Sequence, residues 1–219
     1  MNYFNLHTHD LNCPNGIISL FPEQKKEMIN GKMYSMGIHP WYVNEESLPE
    51  DLSTIEVLAK GNKIVAIGEC GLDKLKGIAL DKQINIFQKQ IRIAETSGLP
   101  LIIHCVKAFD ELIQLKRKSR IEITWIIHGF KGSLEQAKQL TKLGFYLSFG
   151  KALIQDQLKM EEVFRQIPDD RFFMETDVSE IPIESIYARA GEIKGIGLEE
   201  LNNKILQNRK ITFSPEYRD

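Results

Sequence analysis

Short apolar runs alternate with longer amphipathic stretches along the whole chain. Strand-like runs fall at residues 3–6, 17–21, 33–38, 64–67, 99–103, 123–127, 145–149 and 171–174. Their length and their content of Ile, Val, Phe and Tyr suit buried strands. The stretches between them carry helical spacing. Leu52, Ile55, Leu58 and Ala59 share one face of a helix over 49–60. Ile84, Phe87, Ile91 and Ala94 share a face of the next, which Asp81 can cap and Gly98 and Pro100 stop. Phe109, Leu112 and Ile113 face inward on a helix over 108–118. Ser133 and Gln136 form a capping box for a helix that runs to Leu143 and closes at Gly144. Pro22 opens a helix over 23–29, which Gly31 ends. Further helices are expected near 155–166, 184–194 and 198–208.

Eight strand-like runs joined by helices imply parallel strands with right-handed crossovers. The expectation is an α/β fold, a single (β/α)8 TIM barrel occupying residues 1–219 as one domain. It would be short for that architecture, with a compressed second unit. A doubly wound open sheet is the alternative.

The polar residues sharpen this pattern. All five histidines stand at the ends of apolar runs: His7 and His9, His39, His104 and His128. Glu69 ends the fourth run and Asp177 follows the eighth. His7 and His9 sit at i and i+2, so an extended strand turns both imidazoles to one side. Each residue alone has a plain structural reading: a packed histidine, a paired glutamate, an aspartate capping a helix. Strand ends in a (β/α)8 barrel converge on one mouth, and together these residues read as a metal cluster there. Four histidines and two carboxylates exceed one tetrahedral ion, so two divalent ions sharing a bridging carboxylate fit better. The mixed nitrogen and oxygen set suits Zn2+, Mn2+ or Mg2+ alike.

Composition narrows the function classes. With 42% hydrophobic and 26% charged residues the chain is of ordinary globular make-up. The net charge of -2 supplies no basic field for non-specific nucleic-acid binding, so such a substrate would be engaged locally. No apolar run approaches the roughly 18 residues that span a bilayer. Cys13, Cys70 and Cys105 are odd in number and widely spaced, and no signal peptide is evident. The reading is a reducing, cytoplasmic setting without disulfides, in which Cys70 and Cys105 face the outer packing layer.

The ordered motifs resemble the TatD family of metal-dependent deoxyribonucleases. They are His7-Thr8-His9, Gly37-Ile38-His39-Pro40, Ile67-Gly68-Glu69-Cys70-Gly71-Leu72-Asp73, Pro100 through His104, His128-Gly129-Phe130-Lys131-Gly132 and Glu175-Thr176-Asp177, with a similar tail from Ile186 through Asn208 to Phe213. The resemblance implies the same barrel and phosphodiester hydrolysis at a two-metal site. It would give one ion His7, His9, Glu69 and Asp177, and the other Glu69, His104 and His128, with Glu69 bridging. Glu69 and Asp177 would be the catalytic carboxylates, Asp177 accepting a proton, and His39 would contact the substrate phosphate. The partner would be DNA or a small phosphodiester, with no obligate protein partner.

The chain departs from the family pattern around these ligands. Asn5 stands where Asp is usual, Trp41 where a second His is common, and Val106 where many members have Arg. Val178-Ser179-Glu180 replaces the usual Pro-Tyr segment. Candidates for the substrate rim are Trp41, Lys74, Lys107, Phe130, Lys131 and Lys151, with Lys107 and Lys131 ranked first because each lies within three residues of a proposed ligand. The altered rim keeps another small phosphate ester, lactone or amide open as substrate, and a metal-holding barrel without activity is a third class.

Overall fold

Each apolar run becomes a strand in the computed structural model, which describes residues 1–119, 121–155 and 157–213. The strands are β1 (Asn5–Thr8), β2 (Gly16–Leu20), β3 (Met33–Met36), β4 (Ala66–Asp73), β5 (Leu101–Val106), β6 (Trp125–Ile127), β7 (Tyr146–Phe149) and β8 (Phe172–Met174). They form one sheet in chain order, β1 through β8. β3–β4, β4–β5, β6–β7 and β7–β8 pair in parallel. Chain order without reversal is the order of a (β/α)8 barrel and excludes the doubly wound alternative, whose strand order reverses at a switch point. A parallel bridge between Thr8 and Asp177 sets the end of the first strand against the residues that follow the last.

The helices are α1 (Leu48–Lys60), α2 (Leu80–Ser97), α3 (Phe109–Lys118), α4 (Leu134–Lys142), α5 (Ala152–Gln155), α6 (Gln157–Arg165), α7 (Ile183–Lys194) and α8 (Leu198–Phe213). None of those described is long and apolar enough to cross a membrane. The capping box at Ser133 forms as expected: the Gln136 N–H donates to Ser133 Oγ at 3.3 Å, and Ser133 N–H to Gln136 Oε1 at 2.8 Å. Two expectations are corrected. The helix expected over 23–29 is a single 3-10 segment, Pro22–Glu27, so the second unit lacks an α-helix. Asp81 does not cap α2. The helix begins one residue earlier, at Leu80 behind Ala79, and Asp81 falls in the first turn, where its charge suits the helix dipole.

The chain divides into two compact units, 18–125 and 1–17 with 126–213. In the 18–125 unit, α2 buries Ile86, Phe87, Ile91 and Ala94 together with two amides, Gln83 and Gln90. In the other unit, Phe149, Phe164 and Phe172 pack edge to face, and Phe4 meets Phe173 and Phe213 at about 6 Å. The Tyr187 hydroxyl donates to Phe4 O at 2.8 Å, and Asn208 Nδ2 donates to the carbonyls of Asp169 and Phe172 at 3.0 Å. These bonds explain the tail pattern: α7 and α8 tie down the first and last strands.

Candidate functional site

The 18–125 unit carries one cluster. β4 extends past its apolar run through Glu69 to Asp73, so two carboxylates leave the same strand four residues apart. His104 stands within β5, and His39 follows β3. One ligand atom from each of His39, Glu69 and His104 lies within 4.8 Å of the other two. Glu69 Oε1 is 3.0 Å from His39 Nε2 and 3.1 Å from His104 Nδ1. All three residues are buried. His39 Nδ1 accepts the Trp41 N–H at 3.1 Å, which places the proton of the neutral ring on Nε2, toward Glu69. His104 Nε2 meets Asp73 Oδ2 at 3.0 Å. A carboxylate on one imidazole nitrogen orients the other toward a metal, so Nδ1 beside Glu69 is the nitrogen of His104 that could hold one.

Asp73 is held from all sides. Its Oδ1 accepts the N–H groups of Leu75 (2.7 Å) and Lys76 (3.1 Å), and its Oδ2 accepts Trp41 Nε1 (2.7 Å) as well as the His104 ring. Burial works to raise its carboxyl, but the hydrogen bonds from His104, Leu75 and Trp41 outweigh that and hold it below the usual carboxylate range. Two α2 amides reach the loops that carry this cluster. Gln83 accepts Asp73 N–H at 2.8 Å and donates to the carbonyls of Asp73 and Ile78. Gln90 accepts Ile38 N–H at 2.7 Å and donates back to Ile38 O at 3.2 Å, fixing the backbone just before His39.

The other unit carries a second cluster. Ligand atoms of His7, His128 and Asp177 lie within 4.8 Å of one another. Asp177 Oδ1 is 3.6 Å from His7 Nε2 and 3.8 Å from His9 Nε2. The Asp177 backbone is left-handed, φ 52°, and its N–H donates to His7 O at 2.9 Å. His128 Nδ1 meets Glu175 Oε1 at 3.4 Å, which leaves Nε2 as the nitrogen that could hold a metal. Asn5 ties the first strand to the last turn. Its Nδ2 donates to Thr176 Oγ1 at 2.8 Å, and its Oδ1 accepts Thr176 N–H at 3.1 Å. The Thr176 hydroxyl then donates to Thr8 Oγ1 at 3.2 Å. An amide both donates and accepts here, which a carboxylate does not.

The fit to divalent metal rests on this donor chemistry: imidazole nitrogens and carboxylate oxygens within ligand distance of one another, each cluster backed by a further carboxylate, Asp73 or Glu175. Both backing residues stood inside the motifs and their role escaped the sequence reading. The signal was present, because each is a second carboxylate two or four residues from a ligand on the same strand end. Of the proposed rim, Lys107 and Lys131 are exposed, and Lys107 is left-handed at φ 56°. Lys74 pairs with Glu111 at 2.8 Å. Phe130 is not a rim residue: it is 2% exposed and packs on Phe149, so it cannot stack on a base. Burial pushes the Cys70 thiol upward and the Cys105 thiol up to about 12, which favours the protonated thiol at both.

Comparison with known proteins agrees with the motif reading. The model of the family of TatD related DNases matches residues 22–214. A Bacillus subtilis protein described as a metal-dependent hydrolase, YabD, is 32% identical over 180 residues, covering 75% of this chain and 71% of its own. An Erwinia billingiae protein named 3'-5' ssDNA/RNA exonuclease TatD is 28% identical over 145 residues, 64% of this chain and 55% of that relative. Among solved structures, the TatD homologue YjjV of Escherichia coli superposes with a TM-score of 0.82 at 20% identity, covering 97% of this chain and 98% of that one, and shares the barrel fold.

Proposed function

The chain belongs to the family of TatD related DNases and is a metal-dependent hydrolase, and from that premise we propose that it cleaves phosphodiester bonds in DNA, working near strand ends. The observation that carries the reading is the pair of clusters, Glu69–His104 with His39 beside them and His7–His128–Asp177, whose imidazole and carboxylate donors suit divalent ions. Support for DNA comes from the exonuclease name of the Erwinia relative.

Residues Glu69 and His104 would hold one ion, and His7, His9, His128 and Asp177 the other. Bound ions of this kind supply an acidified water and stabilise charge on the phosphoryl oxygens. The chain's own groups do the rest. Asp177, partly exposed and positioned by the His7 carbonyl, accepts the proton released when water attacks. His39, with its proton on Nε2, donates to a phosphate oxygen in place of Glu69. Lys107 and Lys131 offer positive charge to the flanking phosphates. We place the enzyme in the reducing cytoplasm, where cysteines outside disulfides persist.

Incubation of single-stranded DNA with the protein and Mg2+ or Mn2+ tests this. Cleavage should stop with chelator and fall at least about 100-fold in His104→Ala and Asp177→Asn. Cleavage that survives either treatment sinks the proposal. A second reading, hydrolysis of another small phosphate ester, lactone or amide, draws on the burial of Phe130 and the engagement of Lys74 by Glu111, which thin the nucleic-acid rim. Parallel assays on model phosphodiesters, lactones and amides separate the two, and turnover of nucleic acid alone removes the second.

A further inference from the structure

Trp41 touches nearly every group of the 18–125 cluster. Its backbone N–H sets the tautomer of His39. Its indole N–H donates to Asp73 Oδ2 at 2.7 Å, the same oxygen that receives His104 Nε2 at 3.0 Å. Its ring stands edge-on to both imidazoles, 4.9 Å from His39 and 5.2 Å from His104. Lys76 Nζ lies 3.7 Å over the indole face. Trp41 is thus held in place itself, between a cation on its face and a carboxylate at its edge.

We propose that Trp41 is a positioning residue: through Asp73, its indole N–H fixes the imidazole of His104 with Nδ1 turned to Glu69. The proposal rests on the reading that His104 and Glu69 hold a divalent ion. The physical argument concerns rotation. An imidazole can turn about its bond to Cβ and exchange which nitrogen faces a ligand. Asp73 prevents this by accepting at Nε2, but only while Oδ2 is itself held. Oδ1 is occupied by the Leu75 and Lys76 N–H groups, so the carboxylate pivots on that side. The Trp41 donor supplies the remaining restraint, locking Oδ2 toward His104. Phenylalanine would retain the wall of ring atoms and lose the lock. Histidine could restore a donor from the same position.

The test uses the full chain and metal alone. Zn2+ affinity is measured by competition with a chromophoric chelator, and the visible spectrum of the Co2+-loaded protein reports ligand geometry. Trp41→Phe should melt close to wild type yet bind Zn2+ about 10–100-fold more weakly, with an altered Co2+ spectrum. Asp73→Asn should do the same. The double variant should be no worse than the single ones, because both remove one restraint. Trp41→His should recover part of the affinity. Wild-type protein should also show a change in tryptophan fluorescence on Zn2+ addition that Trp41→Phe lacks. Unchanged affinity and spectrum in Trp41→Phe, or strictly additive losses in the double variant, overturns the relay while leaving the metal reading intact. A wild-type protein that takes up no Zn2+ or Co2+ overturns both.

Discussion

Single residues here are chosen for the direction of their hydrogen bonds as much as for their type. Asn5 is the clearest case. It gives Thr176 Oγ1 a donor and Thr176 N–H an acceptor, and the threonine hydroxyl is thereby released to donate to Thr8. An aspartate at this position would accept at both ends and would draw the Thr176 hydroxyl back toward itself. Asn5→Asp should therefore cost about 1 kcal/mol, one redirected hydrogen bond. Asn5→Leu strands the Thr176 N–H and should cost about 2 kcal/mol or more. Urea unfolding of the two variants checks the order, and equal losses would show that the polarity of the chain of bonds does not matter. Trp41 follows the same logic with a different chemistry. A side chain that carries only a donor fills a place where an acceptor-rich carboxylate needs one.

At the level of elements, α2 organises the cluster it packs beneath. Gln83 and Gln90 lie seven residues apart, two turns along one face, and both are buried. One restrains the loop after Asp73 and the other the backbone before His39. Gln90→Ala would leave Ile38 N–H and C=O without this partner. The expected loss is about 2–3 kcal/mol of stability, read by chemical denaturation, whereas Lys89→Ala on the exposed face should stay within about 0.5 kcal/mol. Similar values for the two would refute the role given to Gln90. These amides also show where legibility in the sequence stopped. The apolar runs located all eight strands, because burial of a strand needs only local hydrophobicity. The six proposed ligands were visible as polar residues at the ends of those runs. Asp73 and Glu175 carry a signal, a second carboxylate beside a ligand, whereas Gln83 and Gln90 carry none, because their partners are backbone groups distant along the chain. Phe130 was misjudged for the converse reason: adjacency to His128 suggested the surface, and packing against Phe149 decided otherwise.

For the whole molecule, metal binding and folding are expected to be linked. Clusters of buried imidazoles and carboxylates form only in the native chain, so an ion that binds them favours that state. At a hundredfold excess over its dissociation constant an ion contributes about 2.7 kcal/mol per site. For a chain of this size that corresponds to a rise of roughly 5–10 °C in Tm. Thermal melts with saturating Mn2+ or Zn2+ against chelator check it. A Tm indifferent to both metals would mean that the clusters do not bind ions with useful affinity.

The bridge from Thr8 to Asp177 and the bond from Tyr187 to Phe4 also have a consequence in time. A ribosome releases the N-terminal segment first, yet Asn5 waits for a partner 171 residues downstream. At about 5–20 residues per second, that interval is on the order of ten seconds or more. Residues 18–125 form a contiguous compact unit, and all of them are synthesised well before then. During translation the His7–His9 pair therefore precedes His128 and Asp177 by more than a hundred residues, whereas His39, Glu69, Asp73 and His104 emerge close together. The order of birth separates the two clusters: one has all its residues synthesised early, and the other lacks Asp177 until the last strand has emerged.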